Sequence, residues 1–267
     1  MRVGLIGYGT IARTLAGHLG AASGIEAVTV LVRPGREADV PASFGDGAIP
    51  VAAVTTAEAL LAATPDFVVE CAGHSAVEAF VPAVLRAGLD VVVVSIGALA
   101  DEALSRRLRE AAVAGRSRMI LPAGAVGGID ILSALGAGGD IQVRYTGTKP
   151  PKAWAGTPAE AVVDLAALDR PAVIFEGTAR EAATAYPKNA NVAATLALAG
   201  AGFEATRVVL LADPAAPGNV HAFEAVSSVA RVTMRIENAP SGNAKTSLAT
   251  IMSVLREIRN RQGPVVI

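Results

Sequence analysis

The chain has 267 residues, a net charge of −1, 52% hydrophobic and 18% charged residues, and a mean hydropathy of +0.47. That is enough apolar surface for one large core or two ordinary ones, and too little charge for a disordered chain. There is no basic face of the kind that neutralises phosphates, which excludes a nucleic-acid binder, and no run approaches the roughly 18 apolar residues of a membrane span. Cys71 is the one cysteine, so neither an internal disulfide nor a cysteine-rich metal cage can form, and no metal is expected. The N-terminus lacks the basic start and long apolar region of a secretory signal, so a cytoplasmic protein is expected.

Strand patterns are predicted at 2–6, 26–32, 66–72, 90–95 and 118–124, alternating with helix patterns at 11–20, 56–63, 75–88 and 101–115. The strands are near-continuous Val/Ile/Leu runs, the mark of a parallel sheet covered on both faces. After Leu121 the rhythm changes. Strands with more polar alternation are predicted at 143–150, 172–179, 206–213 and 221–237, with helices at 157–168 and 191–202. The expected fold class is α/β: an N-terminal Rossmann doubly wound parallel sheet over 1–122, then a second α/β (α+β) domain on a mixed sheet over 123–242. A last helix at 243–260, within the segment 243–267, is expected to pack back on the first domain.

Gly7-Tyr8-Gly9-Thr10-Ile11-Ala12 has the form G-x-G-x-x-A between a predicted strand and a predicted helix. The first glycine permits a tight turn, the second lets a pyrophosphate approach the backbone, and Ala12 keeps helix and strand close. The helix start then favours the phosphates. The plain alternative is a glycine turn that binds nothing. At the end of the second strand, where an acid would mark NAD, the sequence reads LVRPGR. Arg33 and Arg36 either receive the 2′-phosphate of NADP or are solvated loop residues, and both cofactors stay open.

Ligands of such sheets lie beyond the carboxyl ends of the strands. Cys71, Ala72 and Gly73 follow one strand, and Pro122 to Ala125 follow another. Small residues there let a flat ring approach the backbone. Cys71 is a reactive thiol or, more plainly, a small apolar residue at a strand end. Of the three histidines, His18 reads as a surface residue and His74 as a loop or capping residue. His221, at a strand start beside the PAAPGNV loop, is a general acid–base candidate or a merely hydrogen-bonded residue. The stretch PKNANVAAT supplies Lys188, Asn189 and Asn191 ahead of an apolar helix. One asparagine suffices as a cap. Asn189 and Asn191 can serve one cleft only if the helix begins around them. Asn243 and Lys245, after a serine–glycine approach, suit ordinary capping.

YGTIA, VECAGHSAVE (69–78), VVSIGAL (93–99), LPAGAVGGIDILSA (121–134), RYTGTKPPKAW (144–154), YPKNANVAATLALAG (186–200) and NVHAFEA (219–225) closely resemble the L-aspartate dehydrogenase family, in order, over nearly the whole chain. The resemblance implies a Rossmann domain for NAD or NADP and a C-terminal domain that holds the substrate and makes a homodimer. It implies oxidation of L-aspartate to iminoaspartate, which feeds quinolinate and NAD synthesis or hydrolyses to oxaloacetate and ammonia. It places the catalytic histidine at His221, and cofactor contacts at Gly7, Gly9, Thr10, Ile11, Ala12, Ala125 and Asn191. Arg33, Cys71, Ala72 and Gly73 are added to the cofactor set from their places at strand ends. Lys188 and Asn189 fall on the substrate side. The rival readings are a homoserine dehydrogenase or dihydrodipicolinate reductase type of enzyme, and a non-catalytic NADP-binding sensor.

Overall fold

A computed structural model describes the chain except residues 21–23, 46, 188, 240–246 and 267. Two units form, one from residues 1–122 with 251–267 and the other from 123–250.

The first unit is built on β1 (Arg2–Ile6), β2 (Ala27–Leu31), β3 (Ser43–Phe44), β4 (Ile49–Val54), β5 (Phe67–Glu70), β6 (Val91–Val93) and β7 (Met119–Ile120). Their order in the sheet is β3-β4-β2-β1-β5-β6-β7. Only the β3–β4 pair is antiparallel. With β3 set aside, this is the 3-2-1-4-5-6 order of a Rossmann sheet. The helices are α1 (Thr10–Ala16), α2 (Ala57–Ala62), α3 (His74–Arg86) and α4 (Glu102–Gly115). Two start where a side chain accepts an otherwise unpaired N–H: Thr56 from Ala59 ahead of α2, and Asp101 from Leu104 ahead of α4. The sequence reading gave no strand at 49–54. Pro50 hides it, yet Pro50 faces Ser43 of β3 and the parallel pairing with β2 starts one residue later, at Val51.

The second unit holds α5 (Ile129–Gly136), β8 (Gln142–Lys149), β9 (Ala172–Thr178), α6 (Ala179–Ala185), α7 (Asn191–Ala199), α8 (Gly202–Ala205), β10 (Arg207–Ala212), β11 (Val220–Val226) and β12 (Arg231–Glu237). The sheet runs β12-β11-β8-β10-β9 and is mixed, with β8 and β10 parallel and the other neighbours antiparallel.

One predicted element needs correction, and two helices have no counterpart in the sequence pattern. The helix predicted at 157–168 is only a 3-10 turn at Pro158–Ala161. The Asp164 carboxylate accepts from the N–H groups of Ala166 and Ala167, a local turn that replaces the helical ladder. Helix α6 was not foreseen, although Thr178 and Glu181 form a reciprocal capping box at its start. Helix α5 was likewise missed. The demand on α7 is met, since its first residue is Asn191.

Helix α9 (Leu248–Asn260) ends the fold. The start predicted at 243, with Asn243 and Lys245, lies outside the described residues. Ile251, Val254, Leu255 and Ile258 recur at helical spacing and enter the core of the first unit with Val3, Leu15 and Phe67. Full burial of such side chains stabilises by about 1.5–3 kcal/mol each. Just beyond the helix, the Arg261 guanidinium lies 2.9 Å from the Asp90 carboxylate and 4.7 Å from the centre of the Phe67 ring. Burial pushes the Asp90 carboxyl upward, but its bonds to Arg261 and to the Arg118 N–H outweigh this and hold it below the usual range.

Candidate active site

In the first unit, strand order reverses between β1 and β5, and the loops after these strands meet there. The Gly7 N–H donates to the Leu31 carbonyl at 2.8 Å. Gly7 has φ +96°, and a Cβ on it would lie 2.6 Å from the Ala72 Cβ, so glycine alone permits this turn. Gly9 differs: a Cβ there would meet nothing within 4 Å. Gly9 precedes α1, and no side chain caps that helix. The open space over Gly9 is therefore backed by a helix start, a setting that fits a pyrophosphate. A cleft of about 590 Å³ runs from this loop past Ala72 to Arg33, Arg36 and Asp39.

Of the residues predicted to meet the cofactor, Gly7, Gly9, Arg33, Cys71 and Ala72 line this cleft. Thr10, Ile11 and Ala12 instead form the first turn of α1, with Ala12 fully buried. Gly73 sits at the start of α3 with φ +130°. Cys71 is buried, its thiol directed at the carbonyl oxygens of Ile6 and Gly7. Burial and then the neighbouring Glu70 charge push the thiol far above its usual pKa, so it is a packing residue. Arg36 is ion-paired with Asp39, an acid in the ribose region that sequence reading missed because it lies eight positions beyond the strand.

Glu70 was also missed. It is fully buried, and its carboxylate accepts from the N–H groups of Ala72 (2.8 Å), Gly73 (2.9 Å) and Ser95 (3.0 Å), and from the Ser95 hydroxyl (3.0 Å). Burial drives its pKa up and these bonds pull against it. One carboxylate thus fixes the chain after β5 to the chain after β6. Its signal was available: it is the only charge within the apolar run FVVECA.

In the second unit, β8 and β11 carry the polar groups. Tyr145, Gly147 and Lys149 alternate along β8 and share one face, and His221 pairs with Gly147 across the ladder. The Tyr145 hydroxyl lies 2.7 Å from His221 Nδ1. Burial pushes the Tyr145 phenol up, so it keeps its proton. Burial, and then the Lys149 charge, lower the His221 pKa to about 4, which makes the imidazole neutral. Lys149 is 6% exposed. Its Nζ donates to Asn189 Oδ1 at 2.7 Å and lies 5.2 Å from the centre of the Trp154 ring. Trp154 is held by its Nε1–H bond to the Leu211 carbonyl and by an edge contact with Tyr186. Burial lowers the Lys149 pKa to about 8.

Asn189 and His221 therefore sit around one lysine, and that lysine was not singled out in the sequence. The period of two in YTGTK was the usable signal, since it puts Lys149 on the buried face with Tyr145. Lys188 lies outside the described residues. Asn191 opens α7, and its carbonyl accepts from the Thr195 hydroxyl. Ala125 is buried, and its carbonyl accepts from the Asn238 side chain at 3.3 Å. His18 is exposed and His74 is the first residue of α3. Among the described residues no group of His, Cys, Asp and Glu could hold a metal, and no helix is long and apolar enough to cross a membrane.

The sheet order and glycine loop define a dinucleotide-binding protein whose second, mixed-sheet unit buries a histidine bonded to a tyrosine and a lysine bonded to an asparagine. Residues 7–122 match the family model of the homoserine dehydrogenase NAD-binding domain, and residues 130–261 match that of the aspartate dehydrogenase C-terminal domain. The chain is 46% identical to an L-aspartate dehydrogenase of Ruegeria pomeroyi over 99% of its own length and 94% of the relative's. It is 51% identical to one of Pseudomonas aeruginosa over 73% of its length and 74% of the relative's. The crystal structure of Thermotoga maritima aspartate dehydrogenase superposes with a TM-score of 0.78 at 28% identity, covering 100% of this chain and 99% of that one. The chain belongs to the L-aspartate dehydrogenase family. The homoserine dehydrogenase model matches residues 7–122 alone, whereas residues 130–261 match the aspartate dehydrogenase model.

Proposed function

We propose that this protein oxidises L-aspartate to iminoaspartate with NAD or NADP, His221 serving as the acid–base residue. The observation that carries the reading is a buried imidazole, held neutral and bonded through Nδ1 to Tyr145, in a unit that matches the aspartate dehydrogenase model. With Nδ1–H donating to the Tyr145 oxygen, Nε2 keeps its lone pair and faces the substrate amine. It takes the ammonium proton, and the freed nitrogen pair forms the C=N bond as the Cα hydrogen departs with its electrons. Bound nicotinamide supplies the acceptor for that hydrogen. Positioning by Asn189 and its neighbours supplies much of the rate. Once His221 has passed that proton to solvent, its neutral ring can again serve as the base when water adds to the imine, giving oxaloacetate and ammonia.

Gly7, Gly9 and Ala72 shape the pyrophosphate end of the cofactor cleft, and Arg33 and Arg36 make it accept the 2′-phosphate of NADP beside NAD. Ala125 and Asn191 stay assigned to the cofactor, and Lys188 with Asn189 to the substrate. A homodimer through the second unit and a cytoplasmic location complete the reading. The lone unpaired cysteine suits that compartment.

An assay of aspartate-dependent nicotinamide reduction, run in parallel with NAD and NADP, tests the proposal. Turnover with aspartate and none with homoserine is expected. Cofactor binding without aspartate turnover would leave the sensor reading in its place.

A further inference from the structure

Lys149 poses a question that the acid–base step does not answer. It is 6% exposed, yet among the described residues no carboxylate lies within ion-pair distance of its Nζ. A buried ammonium without a counter-charge is a costly arrangement, one that folding by itself would not retain. Its recorded partners are neutral: the Asn189 amide oxygen and the Trp154 ring. An ammonium has three N–H donors, and Asn189 takes one.

We propose that Lys149 is the cation that receives a carboxylate of the substrate, with Asn189 and Trp154 fixing the direction in which its remaining N–H groups point. The inference rests on the aspartate dehydrogenase reading, and it moves the carboxylate contact from Lys188, where the resemblance put a lysine, to a residue built into β8. Asn189 keeps its place on the substrate side, but as the group that aims Lys149. Trp154 is itself fixed by the Leu211 carbonyl and the Tyr186 edge, so the platform under the ammonium is rigid.

The arrangement also links capture to chemistry. After burial, the Lys149 charge is what holds the His221 imidazole neutral. A carboxylate placed on Lys149 cancels that field, so the ring becomes more basic when substrate is present. The groups around the ammonium are Asn189, Trp154, His221 and, behind His221, Tyr145. Of these, only His221 titrates below the range of Lys149, and it does so near pH 4.

The test uses succinate, a dicarboxylate that has no amine to oxidise, titrated by calorimetry into the full-length protein saturated with NADP. Wild type is expected to bind it, and Lys149→Met to bind it at least tenfold more weakly with NADP affinity unchanged. Lys149→Met is also expected to melt at a higher temperature at pH 7, since it removes an unpaired buried charge. If Met fails to fold, Lys149→Gln serves in its place. Wild-type succinate affinity should fall as pH rises through about 8. Lys149→Arg, charged throughout that range, should restore binding and hold it flat to pH 10 or so. Unchanged succinate affinity in Lys149→Met and Lys149→Gln, or loss in Lys188→Met instead, overturns the proposal. Succinate binding does not depend on turnover. If wild type binds succinate through Lys149 but never oxidises aspartate, the dehydrogenase reading falls and the carboxylate site stands.

Discussion

The Tyr145 hydroxyl approaches His221 Nδ1 to 2.7 Å because the residue between Tyr145 and Lys149 on their shared face of β8 is a glycine. A Cβ at Gly147 would lie 2.5 Å from that hydroxyl and 3.0 Å from the ring carbon bearing it. The motif Tyr-x-Gly-x-Lys is thus one device: glycine makes the room, tyrosine bonds the imidazole, and the lysine charge adds to the burial that keeps the ring neutral.

Gly147→Ala should displace Tyr145 and cost about 1–3 kcal/mol, the usual range for overpacking a core. Tyr145→Phe should fold nearly as well but lower kcat, because His221 Nδ1 loses the partner that sets its tautomer. Denaturant unfolding together with steady-state kinetics separates the two outcomes. Equal kcat in Tyr145→Phe and wild type contradicts the orienting role.

The pH dependence of stability has a defined sign. His221 titrates near 6.5 when unfolded and is lowered to about 4 when folded, chiefly by burial. The unfolded chain takes the proton first, so the stabilisation is complete above pH 6.5 and is lost as pH falls to about 4. The loss from this group is roughly 3 kcal/mol. Unfolding free energies measured from pH 7 to pH 4 should therefore fall less steeply in His221→Gln than in wild type.

Glu70→Gln keeps the shape of the clamp but removes the charge, and its amide nitrogen cannot accept from the N–H groups that a carboxylate oxygen served. Leaving buried donors unpaired costs about 1–3 kcal/mol. Ala72 lines the cofactor cleft, so NAD and NADP affinity should fall together. Fluorescence titration of both reduced cofactors checks this, and a change confined to stability would show Glu70 to be structural alone.

Asp39→Asn frees Arg36 from its ion pair. The expected result is tighter NADP binding with little change for NAD, and Arg33→Ala with Arg36→Ala should weaken NADP binding with little change for NAD. Dissociation constants for the two cofactors measure it, and equal effects on both would place these arginines outside the 2′-phosphate contact.

Much of this was legible in the sequence. The parallel sheet announced itself through runs such as FVVE and VVVV, and the glycine loop through its place between strand and helix. The segment 157–168 misled because its apolar spacing is helical, whereas Thr157, Pro158 and Asp164 supply turn chemistry that wins locally. Strand β4 was hidden by a proline tolerated at its start. Lys149 and Glu70 escaped notice because an isolated charge in a strand reads as exposed, and only the neighbouring elements reveal that each is buried.

The central claim is that His221 moves the substrate proton, and kinetics of His221→Ala test it most directly when NADP affinity is measured on the same sample. The account predicts that aspartate turnover falls by about 10²–10⁴-fold, the usual worth of a general acid–base group, while NADP binds as in wild type. Turnover within a few-fold of wild type at unchanged NADP affinity would contradict it.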